Sequence, residues 1–183
     1  MMHQNHIFKH YVIDPTLYVA DIASIAIPTI QRYGNEEWQC TTLTCQLHGH
    51  VGIYSLLGAK MGLYARKQMK AEPYTLHVIS HAGNTPPMSC FNDGLQVAAG
   101  STLGHGLMEI KNNTQPRIEA EFMGSDARLH LRLKQEYTDI IQNEVALAFA
   151  RYGDEVEYWH QIRQLAIKYW LEWNRDKIFE RVE

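Results

Sequence analysis

Two histidines separated by one glycine are the clearest candidates for chemistry in this chain. They are His48 and His50 in the segment LHGHVG, residues 47–52. In an extended segment the side chains at i and i+2 point to the same side, so both imidazoles could face one point. Neutral imidazole binds zinc and its neighbours, which take four donors in structural sites and three plus water in catalytic sites. The pair therefore indicates part of a metal site, with a hydrogen-bonded structural or surface role as the alternative.

A cysteine and a glycine-rich segment offer further candidates. Cys90 lies in a proline-rich loop just before a predicted short helix, whose N-terminal N–H groups would favour a thiolate. A small buried hydrophobic side chain is the alternative role for this cysteine. Glycines at positions 100, 104 and 106 let backbone N–H groups approach a ligand, although any tight turn needs the same residues. The segment lacks the Gly-Lys-Ser/Thr ending of a phosphate-binding loop, so we do not predict nucleotide binding.

Taken together, the two stretches resemble the E-type family of formylmethanofuran dehydrogenase subunits. Residues 90–106 read Cys-x-x-Asp-x-x-Gln-x-x-x-Gly-x-Thr-x-Gly-x-Gly. The family motifs typically read H-G-H-x-C-P-G and C-x-x-D-A-I-Q-x-x-x-G-x-T-x-G-K-G, in the same order along the chain. The similarity covers residues 45–110. The residues that match by position are His48, His50, Cys90, Asp93, Gln96, Gly100, Thr102, Gly104 and Gly106.

The resemblance implies an α+β fold with a mixed or antiparallel sheet, frequent dimers, and a transition-metal site near these histidines and cysteines. Zinc is the first candidate for the metal ion, with nickel and iron as alternatives. The expected metal ligands are His48, His50 and Cys90. The residues expected to bind a ligand beside the metal are Asp93, Gln96, Thr102 and Gly104.

Two thiolates of the family motifs are missing from this chain. Gly52 stands at the cysteine position of the first motif, and Ser101 replaces a cysteine often found after Gly100. Such losses weaken the binding of a soft metal or change its identity. Cys45, upstream of the pair, and His105, which replaces the usual lysine, are the candidate replacement donors.

The elements that must position these residues can be predicted from periodicity and turn signals. In chain order they are a helix from Asp14-Pro15 toward Tyr33, a strand at 38–47, a helix at 53–69, a strand at 74–81, a short helix at 93–99, strands within 107–111, 116–124 and 127–134, and helices near 136–151 and 155–180. In the last of these strands, leucine alternates with arginine or histidine, which is typical of an antiparallel strand with one wet face.

We therefore predict an α+β fold in which a mixed or antiparallel sheet packs with helices, with a two-helix C-terminal extension. A metal-binding domain is expected at 1–134. A helical extension at 135–183 is expected to pack on the same domain or on a dimer partner. The stripe of Tyr158, Ile162, Leu165 and Tyr169 on the last helix is interpreted as core packing or a dimer contact.

Composition excludes several classes of function. The 17 Lys+Arg and 20 Asp+Glu give a net charge of -3, without a basic block that could follow nucleic acid. No run of about 18 apolar residues and no signal-peptide pattern is present, so we expect a cytoplasmic protein without membrane contact. The odd number of cysteines suits a reducing compartment. His3, His6 and His10 are assigned to a mobile, solvated tail rather than to a metal site.

Three functions remain open at the level of sequence. The first is a metal-binding protein, an enzyme of unknown substrate if the metal keeps an open position, with Asp93 or His105 as proton carrier. The second is a non-catalytic, metal-carrying or accessory subunit that binds a partner chain through Trp159, Trp170 and Trp173. The third is a degenerate site that binds a small organic ligand. A homodimer is the expected state in each case.

Overall fold

The computed structural model describes residues 11–112 and 114–183. His3, His6 and His10, assigned above to a solvated tail, lie outside the described residues. No helix in the described ranges is long and apolar enough to cross a membrane. The helices are α1 (Ala20–Tyr33), α2 (Asn35–His48), α3 (Ile53–Met69), α4 (Phe91–Ala99), α5 (Gln135–Tyr152), α6 (Val156–Glu172) and α7 (Arg175–Ile178). The strands are β1 (His77–Ser80), β2 (Met108–Ile110), β3 (Glu119–Met123), β4 (Arg128–Leu133) and β5 (Phe179–Arg181).

The strands of the described chain form one sheet in the order β2-β1-β3-β4-β5. β1 and β2 are parallel, whereas the other neighbouring pairs are antiparallel. One face of this mixed sheet packs on helices, because Val78, Phe122 and Leu131 share a buried cluster with helical residues such as Leu57 and Phe91. The predicted α+β fold with a mixed sheet is therefore confirmed.

Residues 38–47 belong to helix α2, so the strand predicted there is wrong. Trp38, Thr41 and Thr42 are buried at helical spacing, and burial of the tryptophan outweighs the weak β preference of threonine. Thr42 donates its hydroxyl to Trp38 O, and Thr44 donates to Cys40 O, each at 2.8 Å. The threonine hydroxyls are thus satisfied by carbonyls one turn earlier in the helix.

The helix predicted from Asp14-Pro15 begins later, at Ala20. Asp14 instead caps a 3-10 turn, Pro15–Leu17, in which its carboxylate accepts from the Thr16 N–H. Tyr18 interrupts the helix because it is extended. Its hydroxyl donates to Val12 O at 2.7 Å and accepts from Trp38 Nε1 at 3.2 Å.

The helix predicted at 155–180 ends at Glu172, and the chain then returns to the sheet. Trp173 is extended, and the side chain of Asn174 caps the short helix α7. β5 follows and pairs antiparallel with β4, with Phe179 opposite Leu133. The C-terminal segment therefore contributes a strand as well as the two helices expected from the sequence.

Helices α3 and α4 cross at two glycines. A Cβ atom on Gly58 would lie 2.0 Å from Phe91 O, and one on Gly94 would lie 2.0 Å from Ser55 O. Only glycine permits this approach of the two backbones at both positions. The contact fixes the start of α4 against α3, and the residues at that start belong to the site described below.

A fully buried lysine connects three helices behind the site. Lys60 of α3 donates to Glu37 Oε1 of α2 at 2.6 Å, and to the carbonyl oxygens of Trp170 and Trp173 at 3.2 and 2.7 Å. Arg175 also donates to the second oxygen of Glu37. Burial lowers the pKa of Lys60, while the Glu37 carboxylate opposes this shift. The network caps the C-terminal end of α6 and holds that helix against α2 and α3.

Candidate functional site

The two histidines lie at a helix end. His48 is the last residue of α2, and Gly49 follows it in the left-handed region with φ 85° and ψ -10°. The Gly49 N–H donates to Cys45 O at 2.9 Å, which closes the helix. The extended geometry predicted for this stretch is therefore wrong. The turn nevertheless brings the rings of His48 and His50 together, with centroids 4.2 Å apart.

His48 is held on one nitrogen and unmatched on the other. Its Nδ1 lies 2.7 Å from Asp93 Oδ2, and its side chain is 8% exposed. With the proton on Nδ1, this nitrogen donates to the carboxylate and Nε2 presents a lone pair. Nε2 is buried and has no hydrogen-bond partner among the described residues. Histidine ligands of metal ions are commonly oriented by such a carboxylate, so this residue fits a metal site.

Cys90 and Asp93 approach the histidines from the start of α4. Cys90 immediately precedes the helix, and Asp93 lies in its first turn. The sequence predicts a thiolate favoured by the helix N-terminus, but burial and then the Asp93 carboxylate raise the pKa of the Cys90 thiol. The thiol is therefore protonated at neutral pH, and a cation beside it would be required to favour the thiolate.

His50 has the protonation state that a metal ligand needs. Its pKa is lowered by burial and, to a smaller extent, by His48 and Arg163. The imidazole is therefore neutral at neutral pH and can offer a nitrogen lone pair.

A cavity of about 360 Å³ joins the histidine pair to Cys90. Its walls are mostly apolar, and they include residues of α5 and α6 that no local sequence signal connects to the histidines. Tyr158 and Ile162, interpreted above as packing residues, lie on this wall. The lining residues are His48, His50, Gly52, Ile53, Tyr54, Pro86, Pro87, Cys90, Val145, Tyr158, Trp159 and Ile162.

The two replacement donors are placed differently from the pair. Cys45 lines a neighbouring cavity together with His50 and Arg163, and burial raises the pKa of its thiol to about 12. His105 is exposed on a 3-10 turn, and its ring packs edge-on against Tyr74 at 5.5 Å between centroids. It is not among the described residues that line the cavity with the histidine pair.

The polar residues after α4 form hydrogen bonds within their own turn. Gln96 Oε1 accepts from the Leu103 N–H at 3.2 Å, and Thr102 Oγ1 accepts from the His105 N–H at 3.2 Å. Gly104 lies in open space beside Thr102. The ligand-binding role of Gln96, Thr102 and Gly104 stays a prediction, and the contacts of the first two support the shape of the turn.

A second group of metal-ligand side chains lies on the sheet. One ligand atom each of His81, Glu121 and His130 lies within 4.8 Å of the others. The alternation along β1 and β4 shows which side of the sheet these histidines face, but the sequence does not give the strand register that brings them together. The sequence therefore could not identify this cluster.

The fold and the cavity define an α+β protein with imidazole and thiol groups converging on an apolar pocket. Residues 47–180 match the family described as "FmdE, Molybdenum formylmethanofuran dehydrogenase operon". Since the match covers more than half of the chain, the protein belongs to this family, and the resemblance drawn from the two motifs is confirmed. No curated protein matches the chain in a sequence comparison.

Proposed function

We propose that the protein binds a transition metal ion through His48, His50 and Cys90. The buried Nε2 of His48 carries this proposal, because its lone pair has no partner in the described residues while Asp93 fixes Nδ1. An unmatched buried nitrogen is costly unless a ligand supplies the missing interaction. The neutral His50 ring lies against His48, and Cys90 faces the same cavity.

Two imidazoles and one thiolate suit zinc, with nickel or iron as alternatives. A metal ion bound there would supply Lewis acidity toward a carbonyl or water. Asp93 has a positioning role in this proposal, since its carboxylate holds the His48 ring in one tautomer and one orientation. His105, outside the cavity walls, is not included among the groups that act on a substrate.

Gly52 supports an open coordination position at this metal. A Cβ atom on Gly52 would lie 3.0 Å from His48 Nε2, so a side chain at this position would project beside the unmatched nitrogen. The family motif has cysteine here, and the glycine of this chain leaves that space empty of a protein donor. Three protein donors and one free position are typical of catalytic rather than structural zinc.

The walls of the cavity favour a ligand with an apolar body and one donor atom. Val145, Tyr158, Trp159 and Ile162 present hydrocarbon and aromatic surface opposite the histidines. Pockets of this kind bind small molecules by burying apolar area, while a few polar groups fix the orientation. We therefore propose an enzyme that acts on a small, largely apolar substrate.

A non-catalytic accessory subunit is the second candidate. Leu147, Phe149, Val156 and Trp159 are 62%, 56%, 79% and 59% exposed on α5, on α6 and at the start of α6. Apolar and aromatic side chains of this size favour a protein contact. We propose a homodimer through these helices, and a cytoplasmic location suits the three free thiols. Light scattering on the wild type and on Phe149→Glu would test the dimer.

Metal content tests the main proposal. We expect stoichiometric metal by elemental mass spectrometry in tag-free protein, and its loss from this site in His50→Ala and Cys90→Ala. Reconstitution with Co²⁺ identifies the site, because a thiolate ligand adds a charge-transfer absorption that nitrogen and oxygen donors do not give. Cys40→Ala is the matched control, since Cys40 does not line the cavity. A wild type that takes up no zinc, nickel or cobalt, or that shows a thiolate band unaffected by Cys90→Ala, would contradict the proposal.

A further inference from the structure

The outer face of the sheet carries an ordered set of polar side chains. On β4, the alternating Leu129, Leu131 and Leu133 are buried, so His130 and Arg132 point to the opposite face. The strand register places His130 directly opposite Glu121 of β3, and Glu121 opposite Ile79 of β1. Directly opposite residues of neighbouring strands share one face of a sheet.

His81 completes this set from the end of β1. Its backbone N–H donates to Glu119 O at 2.9 Å, which places it beside β3. Its Nε2 lies 2.9 Å from Glu121 Oε1, and its ring stacks on that of His130 with centroids 5.6 Å apart. Three strands thus bring two imidazoles and a carboxylate to one point.

The separation of these groups is close to that required by a metal ion. The ligand atoms of His81, Glu121 and His130 lie within 4.8 Å of one another. Donors around one tetrahedral zinc ion lie about 3.4 Å apart, given bond lengths of about 2.1 Å. Small rotations of half-exposed side chains would close this difference.

A buried carboxylate beside the cluster indicates a ligand independently. The Glu119 side chain is 8% exposed, and its Oε1 lies 2.9 Å from His130 Nε2. Its other oxygen, Oε2, is buried without a hydrogen-bond partner in the described ranges. Arg132, opposite Glu119 in the sheet, donates instead to Glu180 at 2.8 Å. A buried carboxylate oxygen without a donor is destabilising, and a bound cation would supply the missing charge.

We propose that His81, His130, Glu121 and Glu119 form a second metal site on the outer face of the sheet. Two imidazoles and two carboxylates select a divalent first-row ion such as Zn²⁺, Fe²⁺ or Mn²⁺, without the thiolate that favours softer ions. On binding, the ring nitrogens that now face carboxylates become ligands, and each ring carries its proton on the other nitrogen. The site is half-exposed, so its ion exchanges with solvent more readily than one in the cavity.

Zinc titration of the full-length chain tests this site without reference to the cavity. After chelator treatment, binding is measured by competition with a chromophoric zinc chelator in the wild type, Glu121→Gln and His130→Ala. We expect each substitution to lower the affinity of one zinc equivalent by at least about tenfold. His77→Ala is the matched control, because His77 shares the face but pairs with Glu109 at 3.5 Å and lies outside the cluster.

Cobalt separates this site from the cavity. Co²⁺ on the sheet should give no thiolate charge-transfer band, and it should remain bound in Cys90→Ala. Glu121→Gln preserves the volume of the side chain and keeps the test valid if His130→Ala fails to fold. Binding of thiolate-ligated metal only, or a second equivalent unaffected by both cluster substitutions, would show that the histidines and carboxylates form cross-strand pairs without an ion.

Discussion

The two histidine clusters of this protein are built by different secondary structures. His48 and His50 meet at the left-handed turn that ends α2, inside an apolar cavity with a cysteine. His81 and His130 meet across neighbouring strands, on a half-exposed face with carboxylates. The same side chain is thus given a nitrogen and sulfur environment in one region and a nitrogen and oxygen environment in the other. The comparison predicts different metal preferences in one chain.

The two regions also differ in what holds them in place. The sheet cluster depends on the register of β1, β3 and β4, which backbone hydrogen bonds fix directly. The cavity depends on α2, α4, α5 and α6, which are joined by side-chain contacts between distant parts of the chain. Its integrity should therefore be more sensitive to substitutions in the helical core.

The largest effect is expected from Glu37→Gln in the buried network behind the cavity. The substitution leaves Lys60, which is fully buried, without a charged partner. Removing one partner of a buried ion pair typically costs about 3–5 kcal/mol. We expect a loss of this size in the free energy of unfolding, measured by urea denaturation. Zinc affinity should fall at the cavity and remain at the sheet if the network supports α6 selectively.

An exposed ion pair provides the control for this substitution. Lys67 and Asp176 lie 2.7 Å apart, with side chains 55% and 40% exposed. Asp176→Asn should change the free energy of unfolding by less than about 1 kcal/mol. Equal losses in the two variants, or equal losses of zinc at both sites, would remove the distinction drawn between the helical and sheet regions.

A smaller and more selective effect is expected from Asp93→Asn. The amide keeps the volume of the side chain but loses the charge that orients His48 through Nδ1. Loss of such a carboxylate typically lowers metal affinity by about 10- to 100-fold. Competition with a zinc chelator should show this decrease for the thiolate-ligated equivalent and no change for the other. A decrease at the sheet site instead would contradict the assignment of Asp93 to the cavity.

The sequence predicted elements with clear periodicity better than those stabilised by distant contacts. The leucine alternation of β4 and the helix at 53–69 are confirmed, because burial there follows local spacing. The threonine-rich segment of α2 was assigned to a strand, because its helical form depends on burial of Trp38 in the tertiary structure.

The candidate site was predictable in its motifs but not in its walls. HGH, Cys90 and Asp93 stand out by residue type and spacing, and the structure brings these residues together. Tyr158, Trp159 and Ile162 belong to a helix whose packing partner cannot be read from its own pattern. Glu119, Glu121 and His130 are ordinary strand residues until the register of the sheet is known.

The accessibility of the thiols provides the last and smallest test of the comparison. Burial raises the pKa of both Cys40 and Cys45 to about 12, so below that value each thiolate fraction falls about tenfold per pH unit. Cys90, whose pKa is raised less far, should react first with iodoacetamide at about pH 8. Its rate should rise as pH rises, and peptide mass spectrometry would follow all three cysteines. Stoichiometric zinc should protect Cys90 if the cavity binds the first ion. Protection that begins only with a second equivalent would instead make the sheet the tighter site, since its donors include no thiol.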